Sequence, residues 1–242
     1  MINTIKKKIS NLLEIIQFRL DTTLFFLDKP KSDYQPIPWC NINTAPIRGI
    51  ASKERLNDIE KYFKNISSLK DIGCCVGYFC ISLVEKYNIP TVGIDSNKKY
   101  LRIANYSSKN VINNNNLIFL NMLVTPRNAH ILPVTDSTML FSLWHHWVFN
   151  YGLESATDIL NIIWSKTDSI LFFESGEEEI LHEFKLDFIG DNKVSDWLLH
   201  YLSKLPNSDV SVLGTYAAGS YSHYKLKNHK RTVFVVKKLN VT

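Results

Sequence analysis

The sequence predicts an α/β protein built on a doubly wound, seven-stranded sheet, with an N-terminal helical extension. Two observations predict this fold. Short apolar, often β-branched runs alternate with segments of helical periodicity from residue 53 onwards, which is typical of parallel strands covered by helices on both faces. Only the polar segment 220–230 separates the last two strand-like runs. We therefore expect the last strand to be antiparallel, in a pair at one edge of the sheet.

Each element has its own signal. The predicted strands are 68–72, 91–94, 117–122, 138–143, 170–173, 210–213 and 232–238. The predicted helices are 53–64, 79–87, 98–108, 155–166 and 191–203. Apolar residues three and four apart, such as Ile159, Ile162 and Ile163, indicate the side of a helix that faces inward. Ser155 is of the type that caps helix N-termini, so we expect the fourth of these helices to begin there.

An amphipathic helix precedes this α/β region. Its apolar residues recur at steps of three and four: Ile5, Ile9, Leu12, Leu13, Ile16, Leu20, Leu24 and Leu27. Glu14, Arg19 and Asp21 interrupt the stretch, which argues against a signal peptide and against a transmembrane helix. Two interpretations stay open. The helix packs on the domain or on a second subunit of a homo-oligomer, or it lies on a membrane surface, because the lysine run 6–8 precedes its apolar face.

Composition limits the class of protein. The 242 residues are 45% apolar and 21% charged, which excludes a disordered chain, a collagen and a disulfide scaffold. The four cysteines form no C-x-x-C pair, so we predict no metal site and expect free thiols in a reducing cytoplasm. The net charge of +5 permits nucleic acid or an anionic substrate as a binding partner without requiring either.

Four prolines between residues 28 and 46 predict a linker, so we divide the chain into 1–46 and 47–242.

The strongest motif lies between the first strand and the following helix, at 71–79. Gly73 and Gly77 allow a sharp turn and a close approach of ligand to backbone. Counted from Gly73, only one glycine of the dinucleotide fingerprint is present, and the chain has no Walker loop. Asp71 at the strand end would repel a pyrophosphate and favour an ammonium or sulfonium group. The loop therefore predicts a cationic ligand rather than a dinucleotide.

A second acidic residue, Asp95, ends the next strand. A carboxylate at that position, about 20 residues past the glycines, suits a bidentate hydrogen bond to ribose hydroxyls. A ligand with a ribose, a cationic group and no pyrophosphate is S-adenosylmethionine, which we predict as the cofactor.

Asp71-x-Gly73-x-x-x-Gly77, followed by Val-Gly-Ile-Asp95, resembles the class I S-adenosylmethionine-dependent methyltransferases. The resemblance covers residues 50 to 238 and implies a Rossmann-like methyltransferase fold with strand order 3-2-1-4-5-7-6. Cys75 stands where many relatives have a third glycine, which a cysteine can replace if its backbone angles are ordinary. Asn121 stands where many have an Asp near the adenine. The predicted cofactor-binding residues are Asp71, Gly73, Cys75, Gly77, Tyr78, Phe79, Asp95, Ser96, Asn121, Met122 and Leu143.

In this family the fourth and fifth strands end beside the transferred methyl group. The fourth is followed by Trp-His-His-Trp, 144–147, and the fifth ends at Glu174. An oxygen nucleophile of high pKa must lose its proton, so we predict His145 or His146 as the general base and Glu174 as an orienting or assisting group. The alternatives are that a histidine caps the next helix and that the tryptophans belong to the core.

These observations favour an O-methyltransferase that acts on a polar small molecule, a glycan or a lipid-linked acceptor. We expect the protein to be cytoplasmic. Association with a membrane through the N-terminal helix is the alternative that stays open. The alternatives are an RNA methyltransferase, for which no appended RNA-binding module is seen, and a catalytically inert cofactor-binding partner subunit. A nicotinamide-dependent reductase is disfavoured by the glycine count.

Overall fold

A computed structural model describes residues 2–27, 35–37, 46–112, 114–177, 181, 184–190, 193–219 and 229–239. The strands are β1 Leu69–Ile72, β2 Thr91–Asp95, β3 Leu117–Asn121, β4 Thr135–Phe141, β5 Thr167–Glu174, β6 Ser208–Gly219 and β7 His229–Lys238. The helices are α1 Ile2–Leu27, α2 Pro46–Glu60, α3 Tyr78–Tyr87, α4 Lys98–Ser107, α5 Trp144–Ser165 and α6 Val194–Leu202. Short 3-10 turns and one π turn, Ser108–Ile112, complete the described regular structure.

Within the described residues, seven strands form one sheet in the order β3-β2-β1-β4-β5-β7-β6. The first five are mutually parallel, and β7 is antiparallel to both β5 and β6. The predicted fold class, including the antiparallel last strand and the strand order implied by the resemblance, is therefore confirmed.

The sheet is covered on both faces because successive strand residues point to opposite sides. Phe173 packs with α5 and α6, whereas its neighbour Phe172 packs with Ile59 of α2 and Leu83 of α3. In the same way, Leu140 packs on the side of Phe173, and its neighbour Met139 packs on the side of Phe172. The central strands β1, β2, β4, β5 and β7 are thus largely buried on both sides, whereas β3 and β6 at the edges of the sheet are largely exposed. The carboxyl ends of β1, β2, β4 and β5 meet along one edge of the sheet.

The predicted fourth helix is present as the second segment of α5, after Gly152, but Ser155 lies inside that segment and does not cap it. α5 begins at Trp144 and contains Ser155 in its interior, with a break at Gly152, where φ is 81° and ψ is 163°. Trp144, Trp147 and Val148 are buried, and their spacing of three and four residues is that of a helix before the glycine. The consequence for function is that both histidines lie in the first turn of a helix.

α1 packs on α4. Phe18 stacks on Tyr106 with 4.0 Å between ring centroids, and both carboxylate oxygens of Asp21 accept hydrogen bonds from the Arg102 guanidinium at 2.6 Å. This pairing holds the pKa of Asp21 below its usual value. The predicted packing of the helix against the domain is thus present, although along a face other than the predicted one.

The described part of the predicted linker is Gln35–Ile37; the rest of 28–45 lies outside the described residues. Gln35 Oε1 accepts a hydrogen bond from the Tyr78 backbone N–H at 3.2 Å. Ile37 is fully buried in an apolar cluster that joins Phe25 of α1 to Cys75 and Val76 of the loop after β1. This short segment therefore ties the N-terminal region to the glycine loop. The division at residue 46 stays a prediction.

Among the described residues, α1 included, no helix combines the length and apolar character needed to cross a bilayer.

Candidate active site

The loop after β1 has the backbone geometry that its glycines predict. Gly73 and Gly77 have φ of 84° and 80°, values that favour glycine. The Gly73 and Cys74 N–H groups donate to the Ile94 carbonyl of β2 at 2.8 and 3.0 Å, and Gly77 lies at the N-terminus of α3. A Cβ at Gly77 would lie 2.7 Å from the Phe119 ring, whereas a Cβ at Gly73 would have 3.6 Å to Leu143. Sterics therefore require glycine at 77 more strictly than at 73.

Cys75 does not have the ordinary backbone angles that we expected of a cysteine at this position. Its φ is 54°, in the left-handed region, which costs about 1–2 kcal/mol for a residue with a Cβ. Two interactions offset this cost. The Cys75 N–H donates to Asp95 Oδ2 at 2.9 Å, and the side chain is buried beside Ile37 and Phe25.

Asp95 lies where the loops after β1 and β2 approach each other. Besides the bond from Cys75, its Oδ1 accepts the N–H of Asn97 at 2.7 Å. These two backbone contacts orient the carboxylate between the two loops. The geometry is compatible with the predicted bond to ribose hydroxyls.

Asp95 lines a cleft at the carboxyl ends of β1 and β2. One side is polar and the other is apolar, and the lining comprises Ile72, Gly73, Ile94, Asp95, Ser96, Met122, Leu123, Val124, Leu143 and Trp147. The Trp147 Nε1–H donates to the Val124 carbonyl at 3.1 Å, which fixes the indole at the cleft. A carboxylate next to an apolar slot suits a nucleoside, because the sugar is polar and the base is flat and apolar.

Asn121 lies beside the cleft rather than in its lining. Its Nδ2 donates to the backbone carbonyls of Asp95 and Ser96 at 3.1 and 3.0 Å. The side chain therefore ties the end of β3 to the end of β2. Its contact with an adenine stays a prediction.

A second cavity meets the cleft at Gly73, which lines both. Its lining is Gln35, Arg55, Asp71, Gly73, Phe79, Phe141, Ser142, Glu174, Ala218 and Arg231. The structure thus brings Asp71, Phe79 and Glu174 together, as the sequence predicts. Tyr78 contributes through its backbone bond to Gln35.

Asp71 is fully buried in this second cavity. Burial raises the pKa of its carboxyl to about 7, partly offset by a hydrogen bond from the Cys80 thiol at 3.4 Å. Near neutral pH the group is therefore divided between its neutral and ionised forms. A cation placed beside it would favour the ionised form.

Glu174 is the centre of a buried charged cluster. Its Oε2 lies 2.9 Å from Nη2 of Arg55, and its Oε1 lies 3.9 Å from Nη1 of Arg231. Ser142 donates to Glu174 Oε1 at 2.7 Å and accepts from Arg231 at 2.8 Å. Ser142 also has a left-handed φ of 55° at the end of β4.

The two arginines of this cluster were missed in the sequence. Arg55 belongs to α2 and Arg231 to β7, far from each other and from Glu174 along the chain. A weak signal exists for Arg231, because it lies just before the apolar run 233–236, whose residues are all buried.

His145 is buried at the start of α5. Its Nδ1 accepts the Gly176 N–H at 3.0 Å and lies 3.2 Å from Ser175 Oγ, so its hydrogen is placed on Nε2. Burial, with smaller contributions from His146 and Arg231, lowers the pKa of His145 well below its ordinary value. The ring is therefore neutral at neutral pH and holds the turn after β5.

His146 is exposed, and its ring centroid lies 4.4 Å from that of His145. The described residues that line the charged cavity include neither histidine. The base function of His145 or His146 stays a prediction. Of the flanking tryptophans, Trp147 lines the nucleoside cleft and Trp144 packs in the core against Phe173.

Comparison with known proteins adds structural relatives. No family model and no curated protein matches this sequence. The bifunctional kinase-methyltransferase WbdD matches with a TM-score of 0.65 and 15% identity, over 88% of this chain and 45% of that chain. The chain therefore spans less than half of the WbdD chain. Magnesium protoporphyrin IX methyltransferase (ChlM) from Synechocystis PCC 6803, with bound SAH, matches with a TM-score of 0.57 and 14% identity, over 79% of this chain and 85% of that chain.

A third match is the methyltransferase domain of bacterial CtHen1-CN, with a TM-score of 0.52 and 12% identity, over 77% of this chain and 99% of that domain. Identities this low establish the fold alone. The chain therefore has the Rossmann-like fold of methyltransferases, with the strand order found in its own sheet.

Proposed function

We propose that the protein is an S-adenosylmethionine-dependent methyltransferase. The observation that carries the proposal is the meeting of two cavities at Gly73, one suited to a nucleoside and the other charged. Such a pair provides adjoining places for a methyl donor and a methyl acceptor. The structures of ChlM with bound SAM and SAH support this cofactor for the fold.

The residues present fit this cofactor. Asp95 and Ser96 would hold the ribose, and Met122, Leu143 and Trp147 would enclose the adenine. Asp71 would face the cationic part, where its ionised form is favoured. When bound, S-adenosylmethionine supplies a methyl group carried on a sulfonium sulfur.

The charged cavity supports an acceptor that carries an acidic group. Arg55 and Arg231 contribute two positive charges to the cavity lining, and Glu174 and the ionised form of Asp71 contribute negative charge. The cation of the bound cofactor would offset the charge of Asp71, and an arginine guanidinium in the lining would then bind a carboxylate or phosphate of the acceptor. We therefore propose O-methylation of an ionised oxygen on a polar small molecule, a glycan or a lipid-linked acceptor.

An ionised acceptor oxygen needs no general base. This agrees with the geometry of His145, whose Nδ1 accepts a backbone hydrogen bond and whose pKa is depressed. The protein's contribution to the reaction is then alignment of the acceptor by the two arginines and exclusion of water by the buried cluster around Glu174.

The proposal is tested by calorimetry with S-adenosylmethionine, its demethylated product and a nicotinamide dinucleotide. We expect heat with the first two only.

Affinity for S-adenosylmethionine should rise with pH up to about 7, by at most tenfold per pH unit, because the pKa of Asp71 is about 7 and the cation binds the ionised form. Measurements stay below about pH 7.5, where the ligand's own amine begins to lose charge.

Asp71→Asn is the matched variant, and its affinity should vary less with pH over the same range. Binding of the dinucleotide in place of S-adenosylmethionine would refute the cofactor. Cofactor binding without methyl transfer to any fraction of a cell extract would instead favour the inert partner subunit.

A second variant separates a base from a positioning role at His145. In His145→Asn the amide oxygen replaces Nδ1 as an acceptor for the Gly176 N–H, but no basic nitrogen remains. We expect this variant to keep at least half of the wild-type kcat and an unchanged pH profile. His146→Ala, at an exposed position, serves as the control. A loss of about 100-fold in His145→Asn, with cofactor affinity intact, would show that His145 acts as the base and that the acceptor is not ionised.

A further inference from the structure

Helix α1 has two apolar faces, and only one of them packs on the domain. Phe18 and Phe25 contact α4 through Tyr106 and Tyr100. The other face is exposed to solvent. Its large side chains are each 51–60% exposed: Ile5, Ile9, Leu12, Leu13, Ile16 and Leu20. We call these six residues the α1 stripe; they belong to the amphipathic face recognised in the sequence.

The α1 stripe is continuous and lies opposite the packed face. At about 100° per residue, its members fall within a band about 100° wide, and Phe18 lies about 180° from the centre of that band. At about 1.5 Å per residue, the stripe is about 22 Å long. The helix therefore has the domain on one side and an apolar surface parallel to its axis on the other.

The two faces of α1 carry different charges, and this difference indicates what kind of partner binds the α1 stripe. The helix has two acidic residues, and both are used on the domain side. Glu14 pairs with Lys109 at 3.1 Å, and Asp21 pairs with Arg102. Lys6, Lys8 and Arg19 lie beside the stripe, so within the described helix its borders carry basic side chains and no acidic one.

A second copy of α1 fits these borders poorly. Two stripes packed together would bring basic borders side by side, without the acidic partners that pair helices at such positions. An anionic lipid surface supplies the missing charge, and its acyl boundary receives the apolar side chains. We propose that the α1 stripe binds the protein, in the plane of the interface, to membranes that carry anionic lipid.

The test is vesicle co-sedimentation of the full chain. Vesicles of phosphatidylcholine alone are compared with vesicles that also contain about 30 mol% phosphatidylserine, at about 0.1 and 0.5 M salt. We expect binding to the anionic vesicles that weakens at least tenfold at the higher salt. Leu12→Ser/Leu13→Ser/Ile16→Ser should abolish binding, and Lys6→Gln/Lys8→Gln should weaken it at least fivefold.

Lys7→Gln is the matched control, because Lys7 is exposed on the same turn but points away from the stripe. Binding of Lys7→Gln to anionic vesicles should stay within twofold of wild type. All variants should keep the wild-type affinity for S-adenosylmethionine. If the wild type does not bind S-adenosylmethionine, the variants should keep its midpoint of thermal unfolding. Equal binding to both vesicle types, or no binding to either, would overturn the proposal. A dimer in sedimentation equilibrium that the triple serine variant dissociates, without lipid binding, would assign the stripe to self-association instead.

Discussion

Gly77→Ala is expected to lower the free energy of unfolding by about 2–4 kcal/mol, from left-handed strain and overpacking together. At a φ of 80°, the new Cβ would lie 2.7 and 2.9 Å from two atoms of the Phe119 ring and 3.1 Å from Ala104. The ring has little room to move away, because it also lies against Gly93, where a Cβ would approach to 2.5 Å. Urea denaturation followed by circular dichroism measures the loss.

Gly73→Ala is the control for this result. Its φ of 84° imposes similar strain, but its nearest side-chain neighbour is 3.6 Å away, so we expect a cost of only about 1–2 kcal/mol. If Gly77→Ala fails to fold, Gly77→Ala/Phe119→Leu should restore folding by making room. Equal losses at the two glycines, with no rescue by Phe119→Leu, would contradict the steric explanation.

Asp95→Ala is expected to weaken the binding of S-adenosylmethionine at least 100-fold. The variant loses the acceptor oxygens proposed for the ribose, and hydrogen bonds to a charged group contribute about 1.5–3 kcal/mol each. It also releases the N–H groups of Cys75 and Asn97, which Asp95 holds at 2.9 and 2.7 Å. Calorimetry measures the affinity.

Asp95→Asn keeps one acceptor oxygen and should show an intermediate loss of about tenfold. Asp209→Ala, at an exposed position on β6, should bind as wild type and controls for the loss of a negative charge. An affinity within threefold of wild type in Asp95→Ala would remove Asp95 from the cofactor site.

Most of the fold could be predicted because its signals are local. Each strand is a short apolar run, and the glycine loop is a contiguous motif between a strand and a helix. The first segment of α5, before Gly152, could not be predicted, because the glycine separates it from the isoleucine pattern of the segment that follows. Trp144 and Trp147 are helical because they are buried in the core, and their burial depends on tertiary packing that the local sequence does not show.

The candidate site divides in the same way. Asp71, Gly73 and Asp95 follow from one motif and the next strand end, and the structure places all three at the two adjoining cavities. The positions of Arg55 and Arg231 depend on the packing of α2 against β6 and β7 and on the pairing of β7 with β5, in which Val233 lies opposite Glu174. Pairings between distant segments leave almost no trace in a single sequence, so these arginines emerge only from the folded chain.

The cluster of Phe25, Ile37, Cys75 and Val76 joins α1 to the loop that carries Gly73 and Gly77. A partner that binds α1 and displaces this cluster would change the affinity of the loop for its ligand, and binding of that ligand would change the affinity of α1 for its partner by the same factor. If attachment of α1 to a membrane strengthens the binding of S-adenosylmethionine, bound S-adenosylmethionine would strengthen the attachment by the same factor.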